Sequence, residues 1–459
     1  MGRNFLLNMA DHGFSVAGLN RSPGKVELLK KEATPGTQVD GTTDVNDFIQ
    51  SLRQPRCIML LVPAGKPVDD VIEELIPLID KGDIIIDGGN SHFTDTRRRI
   101  AYLKEKGLHF MGMGVSGGEE GARRGPSIMP GGDKDAWKRV KPMLEAVSAK
   151  VNDSPCVAYL GKDAAGHYVK MVHNGIEYAI MQMISETYLL LHRGLGLNND
   201  ELHEVYKEWN EGVLKSYLVE ITRDIFLQED DKSDNRLIDM ILDKAGAKGT
   251  GKWTSQDAMD LHFPVPCIDI SVSMRDLSSY KDLRTEATGL YDTQNPRLNT
   301  DRKDFIDKLH NALYFGILMC YAQGMGMIHK ASKDLEMDIP LSEVVRIWRG
   351  GCIIRSVLLD TYWKIFDKNP DLSNLLLSKE VVPIVQANEE GIREVLAEAV
   401  KAGYAVPGLS SSLSYFDSFR RGESPVNLIQ AQRDYFGSHT YQRIDEEGSF
   451  HTEWDGSAQ

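Results

Sequence analysis

The stretch Ile84-Ile85-Ile86-Asp87-Gly88-Gly89-Asn90-Ser91 joins an apolar run to a glycine turn with a polar tip. A continuous apolar run is typical of a parallel strand that is covered on both faces. The upstream run Cys57–Val62 has the same character, and Val68–Ile79 between the two runs has helical period. This order of strand, helix and strand predicts a doubly wound α/β domain, in which ligands bind beyond the carboxyl ends of the strands.

The same alternation fills the first third of the chain and then stops. Further strands are predicted at Phe14–Leu19, Leu108–Met113 and Val157–Leu160. After about residue 165, segments of helical period take over, at 169–193, 200–227, 305–331, 341–368 and 384–403. The sequence therefore predicts an α/β Rossmann-like dinucleotide-binding domain over 1–164, a large all-α domain over 165–420 and an extended C-terminal tail over 421–459.

Composition limits the classes of partner. The chain has 459 residues and a net charge of −14, from 67 acidic and 53 basic residues, which disfavours nucleic acid and anionic membranes as ligands. No apolar run approaches the roughly 18 residues of a membrane span. The five cysteines are odd in number and widely spaced, which argues against a disulfide framework and a CxxC metal site. We therefore expect a cytoplasmic protein without nucleic-acid or membrane partners.

Residues 166–178, Gly-His-Tyr-Val-Lys-Met-Val-His-Asn-Gly-Ile-Glu-Tyr, carry the strongest chemical signal. Lys170, His173, Asn174 and Glu177 recur at spacings of three, four and seven, so a helix places them along one face. An apolar track lies on the same helix, at Val169, Val172, Ile176, Ile180, Met183 and Ile184. In a half-buried cleft, such a lysine and glutamate form a base-and-acid pair. The spacing alone is equally consistent with a surface Lys/Glu pair on an amphipathic helix.

Three glycine-rich stretches provide candidate anion sites. Gly114–Gly121, which contains Ser116-Gly117-Gly118, offers backbone N–H groups and a hydroxyl to an anion, as 87–91 does. Either loop alone is explained as a tight turn, but two loops that end successive strands favour a site. Lys248-Gly-Thr-Gly-Lys252-Trp253 approaches a P-loop, yet Trp253 stands where the magnesium-binding Ser or Thr belongs and no buried strand precedes it. We reject a nucleotide hydrolase and expect these lysines to hold a phosphate.

The predicted strand Phe14–Leu19 ends in the turn Asn20-Arg21-Ser22. In a dinucleotide-binding fold, the second strand ends in the group that contacts the adenosine ribose, which is Asp or Glu when the ribose is unphosphorylated. An arginine with amide and hydroxyl neighbours suits a 2′-phosphate instead. The turn therefore favours NADP over NAD as cofactor.

Taken together, six stretches resemble signatures of the decarboxylating 6-phosphogluconate dehydrogenases, in the right order and over nearly the whole chain. They are 87–91, 115–122, 166–178, 248–253, 348–356 and 427–437. The resemblance implies oxidation of 6-phosphogluconate by NADP to ribulose 5-phosphate and CO2, without a metal, as in the pentose phosphate pathway. It also implies a homodimer in which the tail of one subunit completes the site of its partner.

The resemblance assigns roles residue by residue. Lys170 is implied to take the C3 hydroxyl proton and later to polarise the carbonyl, and Glu177 to protonate C1 of the enediol. Substrate contacts are implied for Asn90, Ser116, Gly117, Gly118, His173, Asn174, Tyr178, Lys248 and Arg275, and for Arg433 and His439 of a partner's tail. Tyr178, Lys248 and Arg275 are implied to contact the phosphate. Cofactor contacts are implied for Gly2, Asn20, Arg21, Ser22, Val62, Pro63, Ala64 and Asn90.

The sequence departs from the family pattern at its start. Family members have a strand and a glycine-rich turn ahead of the segment with which this sequence begins. Of that turn only Gly2, the last glycine, is present. Without that strand, the edges of its two neighbours are expected to lack a partner and the pyrophosphate to lose N–H donors. We expect either a mis-assigned start, which upstream DNA would reveal, or weak NADP binding, which NADPH titration would reveal.

Two other interpretations remain open at this stage. Another β-hydroxyacid dehydrogenase would share the lysine chemistry, but such chains usually lack the Lys248 patch and the Arg433 and His439 tail. Dependence on the substrate phosphate separates this class from the family above. A non-catalytic paralogue that acts as a subunit or ligand sensor would lack turnover with 6-phosphogluconate and NADP, although Lys170 and Glu177 are present.

Overall fold

The computed structural model describes residues 1–291 and 296–454, and its first part alternates strands with helices. The strands are β1 (Val16–Leu19), β2 (Val39–Thr42), β3 (Cys57–Leu60), β4 (Ile84–Asp87), β5 (His109–Ser116), β6 (Ser127–Gly132), β7 (Lys150–Val151) and β8 (Ser154–Pro155). The helices among them are α1 (Gly2–Asp11), α2 (Pro23–Glu32), α3 (Val45–Ser51), α4 (Lys66–Leu75), α5 (Phe93–Glu105), α6 (Gly118–Arg124) and α7 (Lys134–Val147). The predicted α/β character of this region is confirmed.

The larger sheet has the order β3-β4-β5-β6, with β3, β4 and β5 parallel and β6 antiparallel to β5. Ile84, Ile85 and Ile86 of β4 are fully buried, as the apolar run predicts. Ile84 and Ile86 belong to one apolar cluster and Ile85 to another, because alternate side chains leave opposite faces of the sheet. The sheet is therefore covered on both faces, so a ligand can reach it only at the loops that follow the strands.

β1 and β2 pair in parallel as a separate two-stranded sheet. Val16 of β1 packs in the same cluster as Met59 of β3, and Ala17 in the same cluster as Ile58. The two sheets thus share both apolar layers, yet within 1–291 and 296–454 no ladder joins β1 to β3.

Two features of the sheets differ from the prediction. Val157–Leu160 is not a strand, since Val157 forms only an isolated bridge with Ile128. The strands β2 and β6 were not predicted. The sequences Val-Asp-Gly-Thr and Ser-Ile-Met-Pro-Gly-Gly have low intrinsic strand propensity, so these strands depend on pairing with their neighbours.

After residue 164, the described part of the chain is mostly helical. Its helices are α8 (Ala165–Leu189), α9 (Asn199–Trp209), α10 (Tyr217–Ile225), α11 (Leu237–Met240), α12 (Thr250–Asp260), α13 (Pro266–Ser279), α14 (Lys281–Leu290), α15 (Arg302–Asp334), α16 (Leu341–Trp348), α17 (Leu358–Lys368), α18 (Val382–Lys401), α19 (Pro407–Phe419) and α20 (Val426–Gly437). The fold class, a Rossmann-like domain followed by a largely helical part, is confirmed. None of the described helices is both long and apolar enough to cross a lipid bilayer.

Two long predicted helices are each split in two. The segment predicted at 200–227 breaks between α9 and α10, where the Ser216 hydroxyl accepts a hydrogen bond from Val219 N and starts a new helix. The segment predicted at 341–368 breaks after Trp348, where Gly351 adopts a φ of +68° that glycine tolerates best. Helical period alone did not reveal either break.

The chain divides into two compact units, Met1–Ser412 and Leu413–Gln459, and residues 455–459 of the second unit lie outside the described residues. In the second unit, the buried Asp434 of α20 accepts hydrogen bonds from Thr440 N, Thr452 N and the Trp454 indole. These bonds fold residues 440–454 onto α20. The domain boundaries at 164 and 420 stay predictions.

Candidate active site

Glycines allow α8 to lie directly on the large sheet. A Cβ atom added at Gly166 would lie 2.3 Å from Gly112 O of β5, and one added at Gly114 would lie 2.4 Å from the Lys170 Cβ. No side chain fits at these positions without displacing the helix. The stem of Lys170 therefore lies against β5, at the end of the sheet where the polar loops begin.

Lys170 is almost fully enclosed, with 7% of its surface exposed. Its Nζ donates a hydrogen bond of 2.8 Å to Asn174 Oδ1 and lies 3.5 Å from His173 Nδ1. Burial lowers the pKa of the Lys170 ammonium, and attraction to Glu177 opposes that shift in part. A lysine with a lowered pKa can serve as a base near neutral pH.

His173 is fully buried between Lys170 and the loop that follows β5. Its Nδ1 lies 3.1 Å from Asn174 Oδ1, and its Nε2 lies 3.4 Å from the Ser116 hydroxyl. Burial, followed by repulsion from Lys170, holds the pKa of His173 well below its usual range. The ring is therefore neutral near pH 7, and these contacts are consistent with an Nδ1–H that donates to Asn174 and an Nε2 that accepts from Ser116.

Glu177 lies one turn further along α8, with 21% of its side chain exposed. Its Oε2 is 4.0 Å from His173 Nδ1. Burial raises the pKa of Glu177, although attraction to Lys170 and Arg275 opposes the shift. Burial thus favours the neutral amine of the candidate base and the protonated carboxyl of the candidate acid.

α12 brings the glycine-rich cationic patch against α8. Asn174 Nδ2 donates to Thr250 Oγ1 at 3.0 Å, and a Cβ at Gly251 would lie 2.4 Å from the Tyr178 ring. The Arg275 guanidinium carbon lies 3.6 Å from the centre of that ring. Tyr178 and Arg275 therefore meet beside Glu177, and their contact with a phosphate stays a prediction. Lys248 is exposed just before α12, so its own contact with substrate remains a prediction.

The loop Ser116-Gly117-Gly118 approaches α8 through the contact of Ser116 with His173. A Cβ at Gly117, whose φ is +108°, would lie 2.6 Å from Gly351 O. Asn90 is exposed just beyond β4, the strand next to β5. Predicted substrate residues from β4, β5, α8, α12 and α13 thus lie on neighbouring elements, as the sequence predicts, and their contacts with substrate stay predictions.

Six of the predicted cofactor residues, Asn20, Arg21, Ser22, Val62, Pro63 and Ala64, follow the carboxyl ends of β1 and β3. Asn20 Oδ1 accepts a 3.0 Å hydrogen bond from Ser22 N, and Arg21 is 87% exposed, 3.7 Å from Glu74 of α4. α4 follows the loop Val62-Pro63-Ala64, and Gly2 begins α1. An exposed cation beside an amide and a hydroxyl fits the adenosine 2′-phosphate of NADP.

Arg433 and His439 belong to the second unit and are both exposed there. Arg433 donates to Gln430 Oε1 at 3.2 Å, and the His439 ring meets the Phe436 ring edge-on, with centroids 5.9 Å apart. Their contact with a substrate in a partner subunit stays a prediction. Within the described ranges, no cluster of three His, Cys, Asp or Glu side chains is arranged to hold a metal ion.

Trp348 is a residue of the site to which the sequence assigned no role. It is fully buried, and its ring meets the His173 ring edge-on, with centroids 5.5 Å apart. The adjoining Gly351 contacts Gly117 through its carbonyl. The segment 348–356 was recognised in the sequence as a family signature. The approach of Trp348 to His173 and of Gly351 to the loop 116–118 follows only from the tertiary structure.

Comparisons with known proteins identify the family of the chain. The family model for the NAD binding domain of 6-phosphogluconate dehydrogenase matches residues 1–161, and the model for its C-terminal domain matches 166–454. The Bacillus subtilis NADP(+)-dependent, decarboxylating 6-phosphogluconate dehydrogenase is 51% identical over 455 residues, which cover 99% of this chain and 97% of the relative. The Escherichia coli decarboxylating enzyme is 49% identical, with the same coverage.

A solved structure shows the same fold. Plasmodium falciparum 6-phosphogluconate dehydrogenase, determined in its apo form, with its cofactor NADP+ and with its substrate 6-phosphogluconate, superposes with a TM-score of 0.96 and 44% identity. The superposition covers 99% of this chain and 98% of that one. The chain therefore belongs to the family of decarboxylating 6-phosphogluconate dehydrogenases.

Proposed function

We propose that this protein catalyses the NADP-dependent oxidative decarboxylation of 6-phospho-D-gluconate to D-ribulose 5-phosphate and CO2. The observation that carries the proposal is the face of α8, where a buried lysine and a mostly buried glutamate have pKa values shifted in opposite directions. The relatives named above supply the identity of the reaction, and these two side chains supply its proton transfers.

In the first step, neutral Lys170 removes the proton from the C3 hydroxyl of the substrate. NADP, when bound, accepts the hydride from C3. Asn174 holds the lysine amine through the 2.8 Å hydrogen bond, so that the nitrogen lone pair is oriented before substrate arrives. Burial makes the neutral amine available for this step, because it destabilises the ammonium relative to the amine.

In the second step, the 3-keto acid loses CO2. Lys170 now carries a proton and polarises the C3 carbonyl, which stabilises the negative charge that develops as the carboxylate leaves. Lys170 passes its proton to the carbonyl oxygen, which gives the enediol. Glu177 then donates its proton to C1 of the enediol, while the hydroxyl at the former C3 returns its proton to Lys170. The raised pKa of Glu177 keeps the carboxyl protonated at a higher pH than an exposed glutamate would be.

Substrate is held by the polar groups around α8. We assign the sugar hydroxyls and carboxylate to Asn90, Ser116, Gly117, Gly118, His173 and Asn174. The phosphate is assigned to Tyr178, Lys248 and Arg275, which concentrate positive charge in a protein of net charge −14. The 3.6 Å approach of Arg275 to Tyr178 supports this assignment.

NADP is assigned to the loops at the ends of β1, β3 and β4. Asn20, Arg21 and Ser22 would hold the adenosine 2′-phosphate, and Gly2, Val62, Pro63, Ala64 and Asn90 would line the rest of the cofactor. The exposed Arg21 supports the preference for NADP, because its guanidinium contacts Glu74 through one terminal nitrogen at 3.7 Å and so has donors left for a phosphate.

A homodimer is proposed in which the second unit of one subunit completes the site of its partner through Arg433 and His439. Apolar side chains exposed on α20 support this assignment, at Val426, Leu428, Ile429, Tyr435 and Phe436. The five free cysteines suit a reducing, cytoplasmic location.

The test is turnover by the purified chain. We expect NADPH and CO2 to form in equal amounts from 6-phosphogluconate and NADP, and not from unphosphorylated gluconate at the same concentration. Equal activity with both substrates would favour another β-hydroxyacid dehydrogenase. Substrate binding without turnover would favour the non-catalytic paralogue.

A further inference from the structure

Two loops of the proposed cofactor site are joined by one buried side chain, Arg99 of α5. Its side chain is 1% exposed. One terminal nitrogen donates to Gly65 O at 3.0 Å, directly after the loop Val62–Ala64. The other donates to the Ser91 hydroxyl at 3.3 Å, directly after Asn90. The guanidinium therefore bridges the end of β3 to the end of β4.

Two carboxylates hold this guanidinium in place. Arg99 Nε donates to Asp69 Oδ1 of α4 at 2.8 Å, and the nitrogen that contacts Ser91 also lies 3.4 Å from Asp87 Oδ2. Asp87 is fully buried. Because an unpaired buried charge is costly, Arg99 and Asp87 each depend on the other.

Asp87 extends the network to both sides of Asn90. Its Oδ1 accepts from Gly89 N at 3.0 Å, and its Oδ2 accepts from the Ser91 hydroxyl at 2.5 Å. The backbone on each side of Asn90 is thus fixed by Asp87, which is in turn fixed by Arg99. Asn90, whose side chain is exposed, therefore lies between two residues that are both hydrogen-bonded to Asp87.

We propose that Arg99 is a positioning residue that sets the distance between the cofactor loop at 62–65 and Asn90. This rests on the proposed function, in which Asn90 contacts both substrate and cofactor. Arg99 touches neither, and acts through Gly65, Ser91 and Asp87. Hydride transfer requires the two ligands to be held at a fixed separation, so a small shift of either loop reduces the rate.

Only arginine meets this geometry. The planar guanidinium of arginine presents N–H donors in three directions. The single ammonium of lysine cannot reach Asp69, Gly65 and Ser91 at once. An Arg99→Lys variant keeps the charge that Asp87 requires but loses the bridge. Any loss in this variant therefore reports the hydrogen-bonded bridge between the loops and not the positive charge of Arg99.

The neighbouring Arg98 provides a matched control. Its side chain is 54% exposed, and it donates to both oxygens of Asp69 but contacts neither loop. Arg98→Lys therefore disturbs the same carboxylate without disturbing the bridge. A single Arg99→Gln variant would leave the buried Asp87 carboxylate without its partner charge and could fail to fold. The double variant Arg99→Gln with Asp87→Asn removes both buried charges together and avoids that problem.

The experiment compares these variants by hydrogen exchange of residues 62–66 and 88–92, by NADPH titration and by steady-state kinetics, with thermal unfolding as the check on folding. For Arg99→Lys and the double variant we expect faster exchange in both segments and a roughly 10- to 100-fold lower kcat. Weaker NADPH binding should accompany these changes. Arg98→Lys should stay within about twofold of the parent chain in each measurement.

Unchanged exchange in both segments in the folded Arg99→Lys variant would overturn the proposal, and so would equal effects of Arg98→Lys. Loss of kcat without faster exchange would also overturn it, since Arg99 would then act by another route. Hydrogen exchange needs no turnover. If the parent chain fails to oxidise 6-phosphogluconate, the proposed function fails, whereas the loop measurement still decides the role of Arg99.

Discussion

The substrate end and the cofactor end of the proposed site differ in how far their cationic side chains are exposed to water. At the substrate end, Lys170 is 7% exposed and surrounded by polar partners on α8. At the cofactor end, Arg21 is 87% exposed on a turn and forms an ion pair of 3.7 Å with Glu74. Burial shifts the pKa of Lys170, whereas the charge of Arg21 remains in water.

This difference separates chemistry from recognition. A base must exchange its proton near neutral pH, so its ammonium has to be destabilised by burial. A group that recognises phosphate needs only to stay charged and reachable, and an exposed arginine does both. Substitutions at the buried end should therefore have large effects on turnover, and substitutions at the exposed end should have small effects on binding.

The largest effect is expected for Lys170→Met, which keeps the length of the side chain and removes the base. We expect kcat to fall by roughly 10²- to 10⁴-fold, while binding of 6-phosphogluconate is largely retained. Steady-state assays of NADPH formation and a substrate titration measure the two quantities. Lys207→Met, at an exposed lysine of α9, is the control and should be as active as the parent. If Lys170→Met retained about a tenth of the activity, Lys170 would not be the base.

The next effect is expected for Glu177→Gln, which keeps the shape of the acid and removes its proton. We expect a roughly 100-fold lower kcat. The active form carries neutral Lys170 and protonated Glu177, so the kcat/KM profile should fall at low pH, where both groups are protonated, and at high pH, where both have lost their protons. In the variant, the alkaline fall of the kcat/KM profile should disappear. An alkaline fall that persists would assign it to another group.

A smaller effect is expected for Arg275→Met, at the edge of the buried region. Loss of a charged donor to the phosphate should raise KM for 6-phosphogluconate roughly 10- to 100-fold and change kcat less. The ratio of kcat/KM for phosphorylated and unphosphorylated substrate measures the contribution of the phosphate. Arg223→Met on α10, where the arginine pairs with Asp224, is the control. An unchanged ratio would remove Arg275 from the phosphate site.

The smallest effect is expected for Arg21→Ser at the exposed end. We expect KM for NADP to rise about tenfold and KM for NAD to stay constant, because only NADP carries the 2′-phosphate. The difference should shrink as salt is added, since the contact is exposed. Arg53→Ser, at another exposed arginine, should leave both constants unchanged. A tenfold loss with NAD as well would show that the turn, and not its charge, was disturbed.

Several features of the fold and site could be read from local patterns. The run Ile84–Ile86 predicts a strand covered on both faces, and the spacing of Lys170, His173, Asn174 and Glu177 predicts one helix face. Both are confirmed. β6 and the breaks after α9 and α16 were missed, because low strand propensity is overcome by pairing with β5 and because helical period does not detect a cap or a positive φ.

By itself, the sequence determined the family, the fold class and the side chains available for proton transfer, since these depend on motifs and on local periodicity. Only the tertiary structure decided which of those side chains lose contact with water. The shifted pKa values of Lys170 and Glu177 arise from elements distant in the chain, as does the bridge that Arg99 makes between two loops. Desolvation and long-range hydrogen bonds depend on packing, which no local pattern encodes.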